Sequence, residues 1–63
     1  MKGYMVRMEW RGILDPDNTG TEEAEFLAYN DEHARNKARN IACKQSCRVK
    51  EVLRATDDGF AEV

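Results

Sequence analysis

Residues 22–34 read Glu22-Glu23-Ala24-Glu25-Phe26-Leu27-Ala28-Tyr29-Asn30-Asp31-Glu32-His33-Ala34. The apolar spacing changes within this stretch. Up to Tyr29 it has a period of two: Ala24, Phe26 and Ala28 share one face, and Glu23, Glu25, Leu27 and Tyr29 share the other, as in a half-buried strand. After Asn30 the period is helical. Ala34, Ala38, Ile41, Ala42 and Gln45 fall within one arc of roughly 100°. Asn30 suits an N-cap, and Asp31 and Glu32 suit the positive end of a helix dipole. A strand therefore hands over to a helix spanning residues 31–46, whose mostly alanine stripe lets it sit close to a sheet.

Upstream, Tyr4, Val6, Met8 and Trp10 alternate with Met5, Arg7, Glu9 and Arg11. This is a second strand pattern, over residues 4–11. Between the two strands, Gly12 to Gly20 contains Asp15-Pro16-Asp17-Asn18-Thr19-Gly20, a run of turn formers. The pair reads as a hairpin. Downstream, residues 47–56 predict a third strand with Cys47, Val49, Leu53 and Ala55 inward and Arg48, Lys50, Val52 and Arg54 outward. Glu51 breaks the inward face. Asp57-Asp58-Gly59 signals a turn, and Phe60 to Val63 predict a short edge strand. The fold expected is α+β, in the order ββαβ(β): one helix on one face of a small antiparallel sheet ordered 2-1-3-4. The other face is left open.

Composition sets limits on the whole. Sixty-three residues make a single domain, 1–63, which at this size buries only about 60% of its unfolded surface. Apolar residues are 41%, charged residues 35% and the net charge is −2, which excludes a histone-like polycation. The charge is segregated. Residues 1–29 carry −3, residues 30–56 carry +4 and residues 57–63 carry −3. No apolar run approaches the roughly 18 residues of a membrane span, and Met1-Lys2-Gly3-Tyr4 lacks a signal-peptide core, so a cytoplasmic location and no membrane partner are expected. Cys43 and Cys47 are too few for a disulfide scaffold.

Each chemical motif is met by a plainer reading. Asp15, Asp17, Thr19 and Gly20 match the opening positions of a calcium loop, but the final bidentate Glu is replaced by Phe26, so the segment reads as a solvated turn. Cys43, Cys47 and His33 fall short of a four-ligand zinc site. A single histidine among carboxylates is no nucleophilic constellation, and His33 reads as a solvated surface residue. Glu23 and Glu25 face Arg7 and Arg11 and read as cross-strand charge pairs. No catalytic residue, metal or cofactor is expected, and the chain is read as non-enzymatic.

Two features carry more weight. One is basic: Arg35, Lys37, Arg39, Lys44 and Lys50, with Arg48 and Arg54, form a candidate partner-binding edge. The other is apolar. Met5, Leu27, Tyr29 and Val52 fall on the uncovered sheet face and form a candidate self-association face for a homodimer.

The opening Met1-Lys2-Gly3-Tyr4-Met5-Val6, the hairpin, and Ile41-Ala42-Cys43-Lys44-Gln45-Ser46-Cys47 before a strand ending Asp57-Asp58-Gly59 resemble small phage-encoded anti-CRISPR proteins of the type I-F group. The resemblance implies inhibition of a CRISPR surveillance complex through a basic or RNA-lined groove, with Lys37, Lys44 and Lys50 as contacts. Glu25-Phe26 and Ala28 to Ala34, with Val49-Lys50, are similar to the archaeal ribosomal LX family. The leading expectation is a phage or mobile-element accessory protein that binds and inhibits a host protein or ribonucleoprotein. The alternatives are a small RNA-binding, ribosome-associated protein, with nucleic acid less favoured than protein, and a homodimeric structural protein.

Overall fold

The computed structural model describes all residues, 1–63. Its elements are β1 (Lys2–Arg11), β2 (Thr19–Ala28), α1 (Asp31–Lys44), β3 (Arg48–Thr56) and β4 (Gly59–Glu62). The four strands form one antiparallel sheet in the order β2-β1-β3-β4, with α1 packed on it. This is the expected α+β architecture, the fourth strand included.

β1 and β2 pair without interruption from Lys2↔Ala28 to Arg11↔Thr19. The loop between them is closed by its own polar groups. Gly12 N donates to Asn18 O at 2.8 Å, Asn18 N donates to Asp15 O at 3.0 Å, and Asp17 N donates to Asp15 Oδ1 at 3.1 Å. Asp15 thus serves the turn. At the loop end of the hairpin, a Cβ on Gly20 would meet the Trp10 ring at 2.4 Å. The missing side chain lets the indole lie against the β2 backbone, apart from the helix-side core.

Asn30 caps α1 as its chemistry predicts, its Oδ1 accepting from His33 N at 2.8 Å. At the other end Ser46 takes φ 56°, while Cys47 N donates to Ala42 O and Ser46 N to Cys43 O. These are the two crossed bonds of a Schellman termination. They turn the chain out of the helix at Lys44, two residues before the expected end, and aim Cys47 at the core.

The core lies between β1 and α1. Val6 and Met8 pack with Ala38 and Ala42; Tyr4 packs with Ala28 and Ala34. Phe26 and Val52 touch both groups, and the Tyr4 and Phe26 rings stack at 5.9 Å. Alanines at 34, 38 and 42 present no bulk, so the larger side chains of β1 fill the space between the layers.

β3 departs from expectation in an ordered way. The expected faces hold through Cys47, Arg48 and Val49 and then invert. Met8 pairs with Val49 while Arg7 pairs with Glu51, so Lys50 is one residue too many, a β-bulge. Beyond it Val52 and Arg54 face the helix, and Leu53 and Ala55 face away, the reverse of the sequence expectation. Glu51 supplies the physical reason. Strict alternation would press its carboxylate under the helix, where an unpaired charge is costly. The bulge turns it to the open face, where Arg7 Nη1 donates to its Oε2 at 3.4 Å.

Candidate docking surface

One polar cluster secures the helix start. Tyr4 OH donates to Asp31 Oδ1 at 2.8 Å, and Arg54 Nη1 lies 3.4 and 3.3 Å from the two carboxylate oxygens. Arg54 makes this contact only because the bulge has turned it inward. The hydrogen bond from Tyr4 holds the Asp31 carboxyl below its ordinary range; partial desolvation opposes this, and the charges of Arg54, Lys2 and Arg35 add to it. Desolvation first, then Asp31, raises the Tyr4 phenol above its ordinary value. A lowered folded-state value means that Asp31 stabilises the fold above the unfolded value of about 3.8, and that this share is lost as pH falls through the folded value. Asp31→Asn is therefore expected to narrow the stability difference between neutral and strongly acid pH. Urea denaturation at both pH values measures it, and an unchanged difference would refute the linkage.

The sheet face away from α1 is uncovered, and the register arranges its side chains in rows. The row at one end runs Leu27, Gly3, Ala55, Phe60; the next runs Glu25, Met5, Leu53, Glu62; the third runs Glu23, Arg7, Glu51. Gly3 and Ala55 are the small members of the first row, so Leu27 and Phe60 stand as walls on either side of a hollow of about 260 Å³. Leu27 is 54% exposed and Phe60 46%. In the third row Arg7 reaches Glu51 at 3.4 Å and Glu23 at 3.5 Å. Glu25 and Glu62 have no ion pair.

The expected self-association face does not form as one surface. Leu27 is exposed on the open face as expected. Met5 lies on that face but is only 8% exposed, enclosed by its neighbours in the sheet. Val52 is on the helix side, moved there by the bulge. Tyr29 lies beyond the end of β2, where its ring stacks on His33 at 5.3 Å and its N–H donates to His33 Nδ1. His33 is thus engaged with the strand–helix junction and only half exposed, not simply solvated.

The structure divides the expected basic edge. Helical spacing puts Arg35 and Arg39 on one flank of α1 and Lys37 and Lys44 on the other. Lys37 Nζ donates to Leu27 O at 2.8 Å, which places its flank over β2 and blunts that edge strand. Arg35 and Arg39 are then on the β3 side. Arg35, Arg39 and Lys44 are exposed and free of ion pairs, and Lys50 is exposed at the bulge. Glu23 pairs with Arg7 as expected, whereas Arg11 faces Thr19.

Sequence reasoning missed the walls and floor of the hollow other than Leu27, because Gly3 precedes the first strand pattern, Ala55 reads as inward until the bulge turns it out, and Phe60 stands in a short edge strand with no face assigned. It also passed over Ile13 and Leu14, 97% and 99% exposed in the hairpin loop. Two adjacent large aliphatics among turn formers were the available signal. No group of three His, Cys, Asp or Glu side chains is arranged to hold a metal ion, and no helix is long and apolar enough to cross a membrane. No protein-family model, curated protein or solved structure matches the chain.

Proposed function

We propose that this chain acts by binding: a non-enzymatic phage or mobile-element accessory protein that docks on a host protein or ribonucleoprotein and inhibits it, in the manner of an anti-CRISPR protein. The observation that supports this reading is the uncovered hollow walled by Leu27 and Phe60. A domain with only nine buried residues leaves two large apolar side chains facing each other in solvent, on a face no element covers. Covering them stabilises both the domain and the complex.

The test is co-elution with a purified type I-F surveillance complex on gel filtration, and inhibition of its target-DNA binding. The wild type is expected to co-elute and inhibit. Leu27→Ser with Phe60→Ser is expected to abolish both while leaving the circular dichroism spectrum unchanged, because both positions are about half exposed. No co-elution of the wild type rejects this target; co-elution that survives both substitutions rejects this face.

The unpaired Arg35, Arg39 and Lys44 favour a second reading, a small RNA-binding protein of ribosomal association. Phosphate contacts by these groups require an affinity that falls steeply with added salt. A flat salt response rejects it.

A further inference from the structure

We infer that the open-face hollow takes a cationic segment of a partner protein. One bulky apolar side chain of that segment sits between Leu27 and Phe60, and Lys or Arg groups beside it meet Glu25 and Glu62. The inference rests on the reading of this face as a docking surface and specifies the chemistry of what docks.

Size argues for a side chain. The hollow holds about 260 Å³, below the roughly 300–1,000 Å³ of pockets that enclose small-molecule ligands. Its depth comes from absent atoms. A Cβ on Gly3 would lie 3.5 Å from the Ala55 Cβ, in van der Waals contact, so any larger residue at either position would begin to fill the floor. Met5 and Leu53, each 8% exposed, are already enclosed and support the shape without needing a partner.

Charge argues for a cation. Glu25 and Glu62 end the row next to the hollow, one on each edge strand, and neither is paired. The only cation in the three rows is Arg7, and it is shared between Glu23 and Glu51. An apolar side chain in the hollow therefore has one free carboxylate, Glu25, at its edge and a second, Glu62, at the far end of the neighbouring row. A polyanion is repelled there, and an acidic protein segment is too.

A second copy fits less well. A two-fold dimer through this face sets the acidic rim of one copy against the same rim of the other, like charge on like. A copy offering its basic helix flank instead makes a head-to-tail contact that does not close on itself.

Titration of the nitrogen-15-labelled full chain with two synthetic peptides tests the inference. In a glycine–serine frame, one carries a tryptophan between pairs of lysines and the other a tryptophan between pairs of glutamates. The lysine peptide is expected to shift the amides of Gly3, Leu27, Ala55 and Phe60. It should bind roughly tenfold more tightly than the glutamate peptide. Glu25→Gln with Glu62→Gln should remove most of that preference, since exposed charge pairs contribute little individually but act here as two. The salt dependence of the wild-type titration reads the same charge effect without any substitution.

Equal affinity for both peptides, or a preference untouched by the two substitutions and by salt, overturns the cationic inference and leaves the docking face standing. If neither peptide moves these amides, the docking face falls as well. Shifts that grow with protein concentration alone, with a scattering mass near twice 7.3 kDa, make the occupant a second copy and overturn the inference.

Discussion

Met8→Ala is expected to remove a large part of the protein's stability at 25 °C. Met8 is completely buried, among Val6, Ala38 and Ala42. Truncating a buried methionine costs about 2–5 kcal/mol, the upper values where the site cannot collapse. The two alanines opposite have no side-chain reach to fill the void, and α1 is held at both ends by its cap and its Schellman turn. A chain of 63 residues has a total stability of only about 3–9 kcal/mol. The loss is therefore a large fraction of the whole. Urea denaturation followed by circular dichroism measures it. Leu27→Ala, at an exposed position, should cost under about 1 kcal/mol in the same assay. A Met8→Ala loss as small as that would overturn the placement of the core between β1 and α1.

Deleting Lys50 is expected to leave the protein folded, whereas deleting Leu53, three residues away, should abolish folding. A one-residue slip in a strand ordinarily sends its side chains to the wrong faces. Lys50 is the exception because it opposes nothing. With it removed, Val49 is followed directly by Glu51, in step with Met8 and Arg7, and every existing pair is kept. Deleting Leu53 allows two outcomes, both costly. If the bulge absorbs the loss, Glu51 moves under the helix opposite Val6 and Val52 moves out. If the bulge persists, Arg54 moves to the open face and leaves Asp31. Either way the burial of Leu53 is lost, about 1.5–3 kcal/mol before any charge is misplaced. Amide-proton dispersion of the two deletion variants decides the matter. A disordered Lys50 deletion or an ordered Leu53 deletion would refute the bulge.

The features legible in the sequence were the local ones. The alternation of β1 and β2, the Asn30 cap and the alanine stripe of α1 each depend on residues within a few positions of one another. The bulge depends on Arg7, more than 40 residues from Glu51, and its only trace in the sequence was that Glu51 spoiled an otherwise inward face. Tyr29 continues the alternation on paper, but β2 ends at Ala28 ahead of the helix cap, so its ring turns to His33 instead of the sheet face. The hollow was less legible still. It needs one residue from each of four strands, two of them small, and no window along the chain contains that set. The basic residues are plain in the sequence by type, yet their division between two flanks follows only from Lys37 being fastened to Leu27.

β1, made before β2, β3 and β4, occupies an interior position of the sheet, between β2 and β3. During translation β1 can zip to β2 as soon as the hairpin has emerged, but its other edge waits for β3. Val6 and Met8 stay uncovered until α1 is made, and Met5 lacks Leu53 until β3 is out. The nascent hairpin thus presents an apolar face and an unsatisfied edge to the cell at the moment it is least protected. Insertion of β3 beside β1 closes contacts of long sequence separation and is the slow step. A stall or truncation before Thr56 would release a chain with its sheet open, which makes β3, more than the hairpin, decisive for solubility.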